Sequence, residues 1–143
     1  SMPVICINPT NEVEAEIINK LSLQNQDLRV FVSNKQNENY IKALKGKKAI
    51  GEISDDTHIS TSCGGAFCGV FFEKNEEEIY INAINESGLK RIIWVSENKP
   101  SKRILKLDNL VYLKHKDYIG VEKEVLDLES KETVDYGLID LSG

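Results

Sequence analysis

Apolar and polar positions along this chain fall into short blocks whose period switches back and forth. Val4-Ile5-Cys6-Ile7 is an unbroken apolar run, the pattern of a strand buried on both faces. Val13, Ile17, Ile18 and Leu21 follow at helical spacing and predict a helix with that apolar face. The alternation then repeats. Leu28 to Val32 predicts a strand, and Tyr40, Ile41 and Leu44 a helix ending near Gly46. Lys48 to Ile53 predicts a third strand, followed by a short helical stretch from Asp55. Phe67 to Phe72 is a fourth strand, and Glu76 to Ser87 a helix stopped by Gly88. Arg91 to Val95 is a fifth strand. Pro100 suits the first turn of a helix reaching Leu107, and Leu110 to Leu113 completes the series. Strands separated by single helices require parallel pairing with right-handed crossovers. The predicted class is therefore α/β: a doubly wound parallel sheet of about six strands in one domain spanning 3–121.

Residues 122–143 form an acidic C-terminal extension. Val121, Val125 and Leu128 share a helical face, while Val134, Tyr136 and Leu138 alternate as in a strand that could add to a sheet edge. That edge could belong to this molecule or to another, and a disordered acidic tail is the alternative reading.

Length and composition narrow the class further. A chain of 143 residues, 41% apolar and 29% charged, buries enough surface to fold without a metal or disulfides. Ser1 ahead of Met2 reads as a remnant of expression and is set aside. No apolar run approaches the roughly 20 residues of a membrane helix, and residues 3–7 are too short for a signal sequence. Three cysteines, Cys6, Cys63 and Cys68, suit a reducing, cytoplasmic compartment. The net charge of −5 is unevenly spread: residues 89–121 carry eight basic against three acidic side chains, and 122–143 two against seven. An acidic chain whose basic residues are not interleaved with aromatics is not expected to bind nucleic acid. A membrane is not expected as a partner either.

In a doubly wound sheet a ligand sits at the carboxyl ends of the strands. Here that edge comprises Asn8 to Glu12, Ser33 to Lys35, Glu52-Ile53, Phe72 to Asn75 and Ser96 to Asn98.

Four stretches in order resemble the NmrA-like branch of the atypical short-chain dehydrogenase/reductase superfamily. Val4 to Glu14 stands where that family has its glycine-rich strand–turn–helix, and Gly51-Glu52-Ile53-Ser54-Asp55-Asp56 is similar to its Gly-Asp after the third strand. Gly65 to Phe72 is similar to its fourth strand, and Gly88-Leu89-Lys90-Arg91-Ile92-Ile93-Trp94-Val95-Ser96 to its fifth with a Val-Ser ending. The resemblance covers residues 4–115. It implies a Rossmann-type fold with an ancestral NAD(P) site, in a family that includes both reductases and non-enzymatic cofactor sensors. If a cofactor is bound, the implied contacts are Asn8, Thr10, Asn11, Glu12, Val13, Ser33, Lys35, Glu52, Ile53, Phe72 and Ser96.

The departures from the family's pattern weigh against a cofactor. A dinucleotide fingerprint uses glycines for a tight turn, for backbone approach to the pyrophosphate and for helix packing. Asn8, Asn11 and Glu14 stand at those positions, and Pro9 removes one loop N–H. Losing every glycine is expected to remove that geometry. Glu12, Glu14 and Glu16 would oppose a pyrophosphate at the helix N-terminus. Asn11 and Glu14 have capping-box spacing, so Glu14 is expected to cap N–H groups that a phosphate would use. Ser33-Asn34-Lys35 supplies no acid for a ribose 2′-hydroxyl, and residual affinity would lean to NADP through Lys35. Ser33 with Gln36 reads as a helix cap, as does Ser54 ahead of Asp55-Asp56.

Catalytic groups are scarce. Reductases of this superfamily pair a Ser with Tyr-x-x-x-Lys on a helix. Ser96 matches the Ser region, but the one such Tyr–Lys spacing, Tyr112 to Lys116, falls in a strand pattern, where four residues span roughly 13 Å. His58, Cys63 and Cys68 do not make a zinc set. No catalytic residue and no metal are assigned. The favoured reading is a non-catalytic Rossmann-like pseudoenzyme domain acting through protein–protein contacts, with a protein partner or as a homodimer, binding no cofactor. The alternative is an NAD(P)-binding reductase or redox sensor with an atypical cofactor loop.

Overall fold

The computed structural model describes residues 2–143; Ser1, set aside above, lies outside the described residues. Strands and helices alternate without exception: β1 (Val4–Ile7), α1 (Glu12–Gln24), β2 (Leu28–Ser33), α2 (Glu38–Ala43), β3 (Lys47–Gly51), α3 (Asp56–Ser62), β4 (Cys68–Phe72), α4 (Glu77–Ser87), β5 (Arg91–Ser96), α5 (Lys102–Leu105), β6 (Leu110–Lys114), α6 (Val121–Ser130) and β7 (Gly137–Asp140). The strands form one sheet in the order β3-β2-β1-β4-β5-β6-β7, every pair parallel. The order reverses between β1 and β4, which makes the carboxyl ends of those two strands the switch point.

The predicted doubly wound class is found, with one strand more than the six expected. The seventh is β7, which pairs with β6 from Val111↔Gly137 to Lys114↔Asp140. The central strands are buried on both faces because helices cover both. On one face α1, α2 and α6 lay Ile17, Ile18, Leu21, Leu44, Val121, Val125 and Leu128 against Val4, Cys6, Val30 and Leu113. On the other, α3, α4 and α5 lay Ile59, Tyr80, Ile84 and Ile104 against Phe31, Phe71, Trp94 and Tyr112.

Three expectations are corrected. The buried stripe of α1 is Glu14, Ile17, Ile18 and Leu21, whereas Val13 is 45% exposed. Spacings of 3, 4 and 7 from Glu14 define that stripe, and Val13 lies one residue off it. Helix α5 is shorter than predicted and starts at Lys102 behind the cap Ser101, leaving Pro100 ahead of it. The caps also differ: Asn37 rather than Ser33 caps α2, and Asp55 rather than Ser54 caps α3.

Residues 122–143 are built into the domain. Arg91, buried at the start of β5, donates to the carbonyls of Glu129 (2.9 Å), Lys131 (2.5 Å) and Thr133 (2.9 Å), and its guanidinium lies over the Phe67 ring. That clamp fixes the turn between α6 and β7. No helix of the described residues is long and apolar enough to cross a membrane.

Candidate functional site

The loop after β1 opens on Asn8, whose φ is 66°. This is the left-handed backbone that the first fingerprint glycine provides, and Asn is among the few side chains that tolerate it. Its N–H donates to Phe31 O at 2.8 Å. The left-handed residue of the tight turn is therefore kept without glycine, which corrects the first part of the expected loss of geometry. Asn11, in an extended conformation, caps α1 by accepting from Glu14 N–H at 2.9 Å.

At the third glycine position, Glu14 turns inward and is 1% exposed. Its carboxylate gathers donors from three loops. Thr10 N–H donates to Oε1 at 2.9 Å, which completes the capping box one residue earlier than the usual form. Lys74, from the loop after β4, donates its ammonium to both oxygens at 2.7 Å. Tyr118, from the loop after β6, donates its hydroxyl to Oε2 at 2.6 Å and accepts from Asn11 Nδ2 at 2.9 Å. Tyr40 of α2 closes the back of the loop, donating to Asn11 O at 2.7 Å. Burial, and then the adjacent Glu14 carboxylate, push the Tyr118 hydroxyl pKa upward, so it remains a donor at neutral pH. Asp117 and Tyr118 both hold left-handed backbones (φ 54° and 62°), a strained pair that delivers the Tyr118 ring. The ring stacks on His115 at 4.4 Å, and Tyr118 N–H donates to His115 Nδ1 at 3.0 Å.

A second buried carboxylate, Glu73, lies at the end of β4. Trp94 Nε1 (3.3 Å) and Asn98 Nδ2 (3.1 Å) donate to it. Burial raises its pKa, opposed by hydrogen bonds from Ser96, Trp94 and Asn98. Ser96 is buried, and its Oγ accepts from Asn98 N–H at 3.0 Å. Tyr112 lies on β6, its hydroxyl donating to Asn98 O at 2.6 Å with the pKa pushed up to about 12 by burial; Lys116 lies beyond the strand.

The other expected contacts are spread around this centre. Thr10, Glu12 and Val13 are exposed on the loop and first turn of α1. Ser33 Oγ accepts from Lys35 N–H at 3.1 Å, and Lys35 is exposed. Glu52 is exposed and accepts from Asn34 Nδ2, while Ile53 packs on the second core cluster. Phe72 is fully buried and packs in the first cluster, so its side chain is a core group. The cysteines are free and buried, with burial raising the Cys63 thiol to about 12 and pushing Cys6 and Cys68 upward as well. Among the described residues no group of three His, Cys, Asp or Glu side chains could hold a metal.

Sequence reasoning places Glu73 and Lys74 on the ligand-facing edge without giving either a role, and assigns no site role to Tyr118, His115 or Tyr40. One signal was present: Lys74 is the sole Lys or Arg between Lys48 and Lys90, and it falls at the ligand-facing end of a strand.

No protein-family model matches the sequence, and no curated protein matches it. Solved structures do. A short-chain dehydrogenase/reductase from Veillonella parvula aligns over 93% of this chain and 89% of its own, with TM-score 0.67 and 9% identity. A Rossmann-fold NAD(P)-binding family protein from Shigella flexneri aligns over 94% and 90%, with TM-score 0.60 and 13% identity. Vestitone reductase from alfalfa aligns over 97% and 76%, with TM-score 0.63 and 11% identity. At these identities the likeness is one of fold, and the fold is the Rossmann type found in the short-chain dehydrogenase/reductase proteins.

Proposed function

We propose that this chain is a Rossmann domain whose phosphate position is filled by its own Glu14, and that it works through protein contacts without catalysis. The observation that carries the proposal is the buried Glu14 carboxylate. It takes up the Thr10 N–H, the Lys74 ammonium and the Tyr118 hydroxyl at the switch point, where a diphosphate would sit. An anion entering there meets like charge, and the loops after β1, β4 and β6 are tied across the crevice. The contacts of such a domain lie on its outer surface, with a protein partner or a second copy.

A second reading is an NAD(P)-binding reductase or redox sensor with an atypical loop. The comparisons favour it, since the structural neighbours include proteins described as NAD(P)-binding and as reductases. The retained left-handed turn at Asn8 favours it too. In that reading the cofactor would run along Asn8, Thr10, Asn11, Ser33, Lys35 and Ser96, with Lys35 meeting a 2′-phosphate and favouring NADP.

Calorimetric titration with NADPH and NADH separates the two. Under the first reading the wild-type protein shows no binding in the micromolar range, and replacing Asn8, Asn11 and Glu14 together by Gly creates it. Micromolar binding by the wild-type protein that the triple variant does not improve would establish the second reading instead.

A further inference from the structure

The two edges of the sheet differ in charge. At one edge, residues 42–51 carry Lys42, Lys45, Lys47 and Lys48 and no acidic residue. At the other, residues 132–140 carry Glu132, Asp135 and Asp140 and no basic residue. Each edge strand pairs on one side only: β3 with β2, and β7 with β6. Unpaired strand edges template the addition of another strand. Both edges also expose apolar side chains, Ile50 (51%) on β3, and Leu138 (49%) with Tyr136 (84%) at β7.

We infer that β3 of one copy adds in parallel to β7 of a second copy, extending the sheet head to tail. The registers within the sheet make this specific. Following the pairs from Lys48↔Val30 through Cys6, Val70, Ile93 and Val111 brings Lys48 to the level of Gly137, so the two edges lie at the same height. At equal height Ala49 meets Leu138 and Ile50 meets Ile139; Ala49 packs on the cluster beneath α3, α4 and α5 and Ile139 on the cluster beneath α1, α2 and α6, and strand alternation puts the exposed Leu138 and Ile50 on the same two faces. Apolar residues therefore meet apolar residues on both faces, as neighbouring strands about 4.8 Å apart require. In the same register Lys47 falls beside Tyr136 and Lys48 beside Gly137, while Asp135 and Glu132 lie two and five residues ahead of β7, in the segment that leads into it, within the range over which the lysine charges act. Within one copy Asp135 pairs with the exposed Lys131 at the surface, and Lys48 donates to the Leu44 carbonyl in a part-buried contact. One neighbour is unfavourable: Glu52 comes near Asp140, each already held by hydrogen bonds of its own.

Lysines on an edge strand usually prevent self-pairing. Here they block β3 against β3 and leave the acidic β7 as the matched surface. The contact is heterologous, so growth continues beyond a dimer unless the rotation closes a ring.

The inference rests on the reading that the domain acts through protein contacts, but its test is separate, because mass does not report on cofactor binding. Sedimentation velocity over a concentration series at low salt should show wild-type mass rising past that of a dimer, and falling back as salt screens the charges. The Lys47→Glu/Lys48→Glu and Glu132→Lys/Asp135→Lys variants, each checked by circular dichroism, should each raise the midpoint concentration roughly tenfold or more. Mixing the two variants should restore growth, since each then offers the edge the other lacks. A wild-type protein that stays monomeric, or one whose assembly is indifferent to both charge reversals, would overturn the inference.

Discussion

At the residue scale, two substitutions at glycine positions have opposite consequences. Asn8 reproduces the backbone of the glycine it stands for, because its short side chain tolerates φ 66°. Glu14 replaces a position kept small for close packing with a carboxylate that needs several partners, and the loops after β4 and β6 supply them. His115 belongs to this centre. Its Nδ1 accepts from Tyr118 N–H, so the neutral ring carries its proton on Nε2. Burial lowers its pKa below 6.5, with Lys74 acting in the same direction and Glu97, Glu14 and Asp117 against it. A lowered folded-state pKa means that the unfolded chain binds the proton more readily. Stability is then full above about pH 6.5 and is lost as the pH falls towards the folded-state value. Urea unfolding between pH 5 and pH 8, a range centred on about the ordinary histidine pKa, should show this decline in the wild-type protein. In His115→Gln, whose amide oxygen can still accept from Tyr118 N–H, the decline should be much shallower. An equal slope in both would assign the pH dependence to other groups.

At the element scale, legibility followed the length and regularity of the apolar pattern. Strands β1, β4 and β5 are continuous apolar runs and were placed within one residue. The predicted face of α1 holds at Ile17, Ile18 and Leu21 and fails only at Val13, because counting apolar positions skips a carboxylate in the stripe. Recognising Glu14 as buried requires Lys74 and Tyr118, which lie 60 and 104 residues away and meet it only in the folded chain. The tail illustrates the same limit. Its helix was visible in Val121, Val125 and Leu128, but the alternating residues after it gave no sign of which sheet edge would receive them. Arg91 decides that by fixing the turn that leads into β7. Arg91→Leu leaves three carbonyls without their charged donor and should cost about 3 kcal/mol, at roughly 1 kcal/mol or more for each lost bond. Hydrogen exchange should show the loss concentrated in β7 and the end of α6. Uniform destabilisation with β7 still protected would mean that the strand holds its place without the clamp.

At the scale of the whole molecule, the acidic stretch after residue 121 acts as part of the core despite its charge. Of its seven acidic side chains, Glu129 is buried and accepts from Gln24 of α1, Glu122 pairs with Lys20 of α1, and Asp127 and Asp135 pair locally, while Val125 and Leu128 are almost completely buried against α1 and the sheet. Ile139 and Leu141 pack against the same cluster, and Leu141 N–H donates to Lys114 O at 2.7 Å. Burying each of Val125 and Leu128 contributes about 1.5–3 kcal/mol. Adding the loss of the Arg91 contacts brings the total to a large part of the roughly 5–15 kcal/mol that a domain of this kind possesses. A chain ending at residue 121 should therefore lose cooperative folding rather than shed a regulatory tail. Expressed beside the full chain, it should be insoluble, or should keep far-ultraviolet circular dichroism without a sharp thermal transition. A truncated protein that melts sharply within a few degrees of the full chain would show that the first six strands are self-sufficient, with α6 and β7 docked onto a finished fold. The distinction governs how partners are sought: deleting residues 122–143 would unfold the bait, whereas charge reversal at exposed Glu132 and half-buried Asp135 changes the surface and leaves the core intact.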